Sequence, residues 1–92
     1  MNRDKRLDSI KVMIDAGHIT EFKQIFHYIP KSVIGKHLRT NNPRMSRLVL
    51  RVDELTVQEI VAISALINVE YTKLTGIVFK QYFNDHKRRS KD

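Results

Sequence analysis

Leu55-Thr56-Val57-Gln58-Glu59-Ile60 constrains this chain more than any other stretch. Thr56 and Glu59 have capping-box spacing, in which hydroxyl and carboxylate each accept from an orphan backbone N–H at a helix start. Leu55 and Ile60 stand at the two positions of a hydrophobic staple. Ile60, Ile63 and Ile67 then continue one apolar stripe to a stop near Asn68.

Helical spacing recurs on both sides. Leu7, Ile10 and Ile14, with Met13 beside them, predict a helix over 4–16, and Gly17 sits where a left-handed residue would end it. Thr20 is the expected N-cap of a second segment with Phe22, Ile25, Phe26 and Ile29 on one stripe, closed by Pro30. Val33, Ile34 and Leu38 predict a short helix over 31–38. Arg39-Thr40-Asn41-Asn42-Pro43 reads as a tight connection, with Asn42 capping the next helix and Pro43 at its first position. That helix turns Met45, Leu48 and Val49 to one side.

Tyr71, Leu74 and Val78 predict a last helix from Glu70 to about Phe83. Gly76 weakens it by roughly 1 kcal/mol, and the β-branched Ile77-Val78 leaves a short strand open over 76–83. Residues 84–92 read as a basic tail. The 92 residues thus predict a single all-α domain, 1–92, of five to six short helices.

The charge is uneven. Lys and Arg number 17 against 10 Asp and Glu, a formal net charge of +7. From Glu21 to Asp53 no acid intervenes, while Lys23, Lys31, Lys36, Arg39, Arg44, Arg47 and Arg51 supply seven cations, as many as the net charge. Such a window suits a polyanion, and a phosphate backbone above all. With Met45, Leu48 and Val49 inward, Pro43, Arg47 and Leu50 point outward, flanked by Arg44, Ser46 and Arg51. Arginine pairs with guanine, asparagine with adenine, and serine with either.

These residues resemble the helix-turn-helix of the Cro/CI (XRE-type, lambda-repressor-like) DNA-binding domains. Residues 31–38 look like the first motif helix, 41–48 like the recognition helix, 55–69 like the fourth helix of that family and 71–74 like the start of its fifth; the likeness spans about 20–75. Counted from Lys31, the small fifth residue is Gly35, and the apolar eighth, fifteenth and eighteenth are Leu38, Met45 and Leu48. Two positions depart: Arg39 replaces the glycine usual at the ninth, and Thr40 the apolar tenth. The resemblance implies a lambda-repressor-like bundle with its helix-turn-helix at about 31–50, an extra N-terminal helix at 4–16, and a transcriptional regulator, a repressor by expectation. It implies base contacts from Asn41, Asn42, Arg44, Ser46 and Arg47, and phosphate contacts from Lys31, Ser32, Lys36, Arg39 and Arg51. The expected partners are double-stranded DNA and a second copy of the chain.

That reading requires Arg44 and Arg47 to be free of the protein's own carboxylates, and their ridge to be uncovered. Two other classes compete with it: a protein-interaction module, such as the antitoxin of a toxin–antitoxin pair on the same scaffold, and a single-stranded nucleic-acid binder using Tyr71, Phe79, Tyr82 and Phe83 as a stacking platform. Core packing or a dimer seam accounts for those aromatics more simply, and the basic window lacks interleaved aromatics.

Other chemistry finds little footing. There is no cysteine, and His18, His27, His37 and His86 are too scattered for metal-ligand spacing. No phosphate-binding glycine loop, nucleophile elbow or paired carboxylate is present, and Ser32, Ser46 and Ser64 lack a His/Asp pattern. No catalytic role, cofactor, metal or small-molecule ligand is expected. The apolar runs are too short to cross a bilayer and the N-terminus is charged, so the expectation is a cytoplasmic protein with no membrane partner.

Overall fold

Asp4 opens the first helix, α1 (Lys5–Asp15), where its carboxylate accepts from the Arg6 amide at 2.9 Å. The computed structural model describes the backbone of residues 4–89 and the side chains of residues 4–87. Leu7, Ile10 and Ile14 are buried, and Gly17 turns the chain at φ +83°, as its position predicts. The next segment, Phe22–His27, is 3₁₀ rather than α, and Thr20 does not cap it. Glu21 is the cap instead: Gln24 reaches back, its Oε1 accepting from the Thr20 and Glu21 amides at 2.7 and 3.1 Å, while the Lys23 amide that a Thr20 cap would take donates to Gln81.

Then follow α2 (Lys31–His37), α3 (Asn42–Leu50), a 3₁₀ turn (Val52–Glu54), α4 (Val57–Ile67) and α5 (Tyr71–Arg89). The capping box forms as expected, with Glu59 N donating to Thr56 Oγ1 at 3.1 Å and Thr56 N donating to Glu59 Oε1 at 3.0 Å. No strand occurs among the described residues, and 76–83 is helical. Ile77 and Val78 follow Leu74 on the stripe that meets the core, so tertiary burial overrides their β-propensity.

Two boundaries differ from expectation. Asn41, not Asn42, caps α3, its Oδ1 accepting from the Arg44 amide at 2.8 Å, which moves Pro43 one place inward within the first turn. The last helix also continues past Phe83 to Arg89. Asn84 donates to Glu21, and the rings of Tyr82 and His86 lie 4.0 Å apart, so residues beyond Phe83 gain tertiary and helical contacts that a solvated tail lacks. Residues 90–92 of the expected tail lie outside the described residues.

α1 packs on α4, α4 on α5, and α2 on α3, around a core that includes Ile10, Phe22, Ile34, Met45, Ile63 and Leu74. Among the described residues two polar side chains are buried with it, Ser64 of α4, whose hydroxyl donates to Ile60 O at 2.7 Å, and Gln81. Gln81 of α5 is 1 % exposed; its Oε1 accepts from Lys23 N and its Nε2 donates to Val49 O, both at 2.7 Å. A single amide thus ties the first 3₁₀ segment and the end of α3 to α5. Among the described residues no single helix is long and apolar enough to cross a membrane; α4 and α5 together pass on length and composition but are bent by 118°.

Gln81→Leu keeps similar bulk yet strands one buried N–H and one buried C=O. Unfolding in urea should show a loss of about 2–4 kcal/mol. A loss below about 0.5 kcal/mol would mean that these two bonds contribute little.

Candidate nucleic-acid interface

Three helices end the same way. In α1 and α2 the residue after the cap is left-handed, in α4 the cap itself is, and in each the next amide donates to a carbonyl five residues earlier: His18 to Met13, Thr40 to Gly35 and Val69 to Ser64, at 2.9, 2.9 and 3.0 Å. The left-handed residues are Gly17, Arg39 (φ 58°) and Asn68 (φ 57°). Glycine and asparagine adopt that geometry readily; for an arginine it costs roughly 1–2 kcal/mol. The departure from the usual glycine is therefore accommodated by real backbone strain at Arg39, in a turn of ordinary length.

That turn sets α3 against α2. A Cβ on Gly35 would lie 2.7 Å from Met45 Cγ, so the absence of a side chain there permits the approach. The sequence expectation for this position holds. Met45, Leu48 and Val49 are buried, as expected, while Asn42, Pro43, Arg47 and Leu50 are exposed. Among the described residues no element covers the outer ridge of α3.

The arginines are another matter. Arg44, Arg47 and Arg51 recur at i, i+3 and i+7, which places them on one flank of α3, and each meets an acid. Arg47 donates from Nε and Nη2 to the two carboxylate oxygens of Glu54, at 2.6 and 2.9 Å. Arg44 grips Glu59 with both terminal nitrogens, and Arg51 holds Asp53 at 3.2 and 3.1 Å. The requirement that Arg44 and Arg47 be free is thus not met in this structure, although the ridge is open. The guanidinium groups do not point freely into solvent as the helical wheel alone suggests.

These pairings shift the ionisation of both partners. Hydrogen bonds from Arg47 hold the Glu54 carboxyl below its ordinary value, those from Arg44 do so for Glu59, and those from Arg51 for Asp53. The three arginines are raised in turn, each chiefly by its hydrogen-bonded acid.

The remaining candidates divide. Lys31, Lys36 and Arg39 have no carboxylate within ion-pair distance among the described residues. Lys31 Nζ lies 3.5 Å from Ser46 Oγ, which brings the start of α2 to the middle of α3. Asn41 spends its carbonyl oxygen on the cap, whereas Asn42 and Ser32 stand exposed. The surface from Ser32 and Lys36 to Asn42 and Ser46 is therefore cationic and polar, bordered by a charge-neutralised arginine flank. No group of acids and histidines among the described residues could hold a metal ion.

Sequence reasoning missed the partners rather than the cations. Asp53 and Glu54 are the first acids after the basic window, and a 3₁₀ turn folds them back along α3. Comparison with protein-family models, curated proteins and solved structures finds no match to this chain.

Because its folded-state pKa is depressed, Glu59 adds stability that is present above the unfolded value of 4.5 and is lost as pH falls through the folded value. The melting temperature should drop between about pH 5 and pH 3, and less steeply in Glu59→Gln, which keeps the capping box without the charge. Parallel curves for the two proteins would contradict the pairing with Arg44.

Proposed function

We propose that this chain is a sequence-specific, double-stranded DNA-binding transcriptional regulator of the Cro/CI type, a repressor, with α2, its turn and α3 as the helix-turn-helix. The observation that carries the reading is Arg39: a solvent-exposed arginine, without an acid partner among the described residues, held in left-handed backbone between two helices that glycine lets approach closely. Strain of this sort persists where the side chain is worth more than the conformation costs. At this turn, a phosphate contact is such a use.

In the proposed mechanism Lys31, Ser32, Lys36 and Arg39 engage phosphates and fix the register. Asn42 and Ser46, with the free amide nitrogen of Asn41, meet base edges from the N-terminal half of α3. Arg44 and Arg47 are not free as the sequence reading required, so in the proposed mechanism they and Arg51 join only by exchanging their acids for DNA. An exposed ion pair is worth about 0–1 kcal/mol, and a bidentate guanine contact discriminates against a wrong base by about 1–3 kcal/mol. Breaking the Arg47–Glu54 pair therefore costs little beside the preference for a matching base, while the part-buried Arg44–Glu59 pair is held more firmly.

A second copy of the chain is the proposed partner. Phe79 and Phe83, 56 % and 62 % exposed, form an edge-to-face pair on α5 beside a recess of about 300 Å³ floored by Val52, Leu55, Ile60 and Val78. Projection and recess on one patch are what a two-fold contact between identical surfaces needs. The same apolar face favours the second reading, an interaction module clasping an unlike protein.

Selection from a random duplex library at near-physiological salt should recover a palindrome with half-sites about one helical turn apart. Recovery of no sequence would overturn the reading. Arg39→Gly separates binding from folding: relief of the left-handed strain raises stability by about 0.5–1 kcal/mol, while loss of one cation lowers duplex affinity and flattens the salt dependence by about one unit. Unchanged binding would remove Arg39 from the interface.

A further inference from the structure

The acids that close on α3 form a set. Asp53, Glu54 and Glu59 come from the 3₁₀ turn and the first turn of α4, and each takes a different arginine of the flank. Two of the pairs use both oxygens of a glutamate against two nitrogens of a guanidinium, the same planar fork that a guanine edge or a phosphate offers. The Arg47–Glu54 pair is the looser, its arginine side chain 63 % exposed, whereas the Glu59 side chain that holds Arg44 is 15 % exposed. Glu59 is further anchored by the Thr56 amide, so it stays in place when Arg44 leaves.

We propose that Glu54 and Glu59 are specificity-determining residues that withdraw Arg47 and Arg44 from sequence-independent phosphate binding. Resting on the DNA-binding reading above, this makes the acids internal stand-ins for DNA. A random duplex offers each arginine an anion little better than the one it already holds, and attraction to it falls to Lys31, Lys36 and Arg39. A matching site offers a base edge as well, and only there is the exchange favourable. Positive charge is thus kept on the recognition helix without making the protein adhere to every stretch of duplex.

The test compares the wild-type chain with Glu54→Gln, Glu59→Gln and Asp15→Asn by fluorescence anisotropy, using a labelled duplex of scrambled sequence across a salt titration. Asp15 is the charge-matched control, because its carboxylate holds Lys11 and Lys73 on α1 and α5. Circular dichroism confirms that each variant is folded. Glu54→Gln and Glu59→Gln should each bind the scrambled duplex about tenfold more tightly at about 50 mM salt, with log K falling about one unit more steeply against log salt. Asp15→Asn should stay within about twofold of the wild type. If the wild type binds and the two glutamine variants match it in affinity and slope, or the control gains as much as they do, the acids have no such role and the DNA-binding reading stands. If no protein in the set shows salt-dependent duplex binding, that reading falls and this one with it.

Discussion

The approach of α2 to α3 at Gly35 and Met45 governs what this molecule can present. A methyl group at residue 35 would collide with a side chain that is itself fully buried, so the two helices have one close packing and little room to adjust. From that contact follow the tight turn, the left-handed Arg39 within it, and the outward ridge of α3. Gln81 fixes the far end of the same helix from the opposite side, through the carbonyl of Val49. The ridge is held at both ends while its outer face stays open.

On that scaffold, charge is distributed in two tiers. Among the described residues Lys31, Lys36 and Arg39 have no acid partner, whereas Arg44, Arg47 and Arg51 each have one. The net charge of +7 is therefore a poor guide to the local field. A surface with all six cations free would attract any polyanion strongly; on the proposed reading, the three held in reserve serve discrimination. The exposed aromatic face on α5 borders the paired tier, since Asp53, which holds Arg51, lines the recess beside Phe79 and Phe83.

Much of the fold was legible because its signals are local. Thr56 with Glu59, Gly17 and Asn68 each act on backbone within a turn of themselves, and each does what its spacing predicts. The differences arose where equally able neighbours competed or a distant group decided. The caps fall on Glu21 rather than Thr20 and on Asn41 rather than Asn42, while the helix beyond Phe83 is supported by Glu21, far away in the chain. Gln81 did leave a trace: it is the polar member of the stripe Leu74, Ile77, Val78, Gln81. The basic window and the arginine stripe were legible too. Their neutralisation was not, since it depends on how a 3₁₀ turn and a helix start fold back on α3, which no pattern within residues 42–51 encodes.

The most direct measurement is a ¹H–¹⁵N correlation spectrum of the labelled chain titrated with a short duplex at near-physiological salt. The account expects the largest amide shifts in α2, at Arg39 and in the first half of α3, with the guanidinium Nε–H signals of Arg44 and Arg47 moving as they leave Glu59 and Glu54. A spectrum that does not respond, or one that changes only along Phe79 and Phe83 of α5, would contradict it.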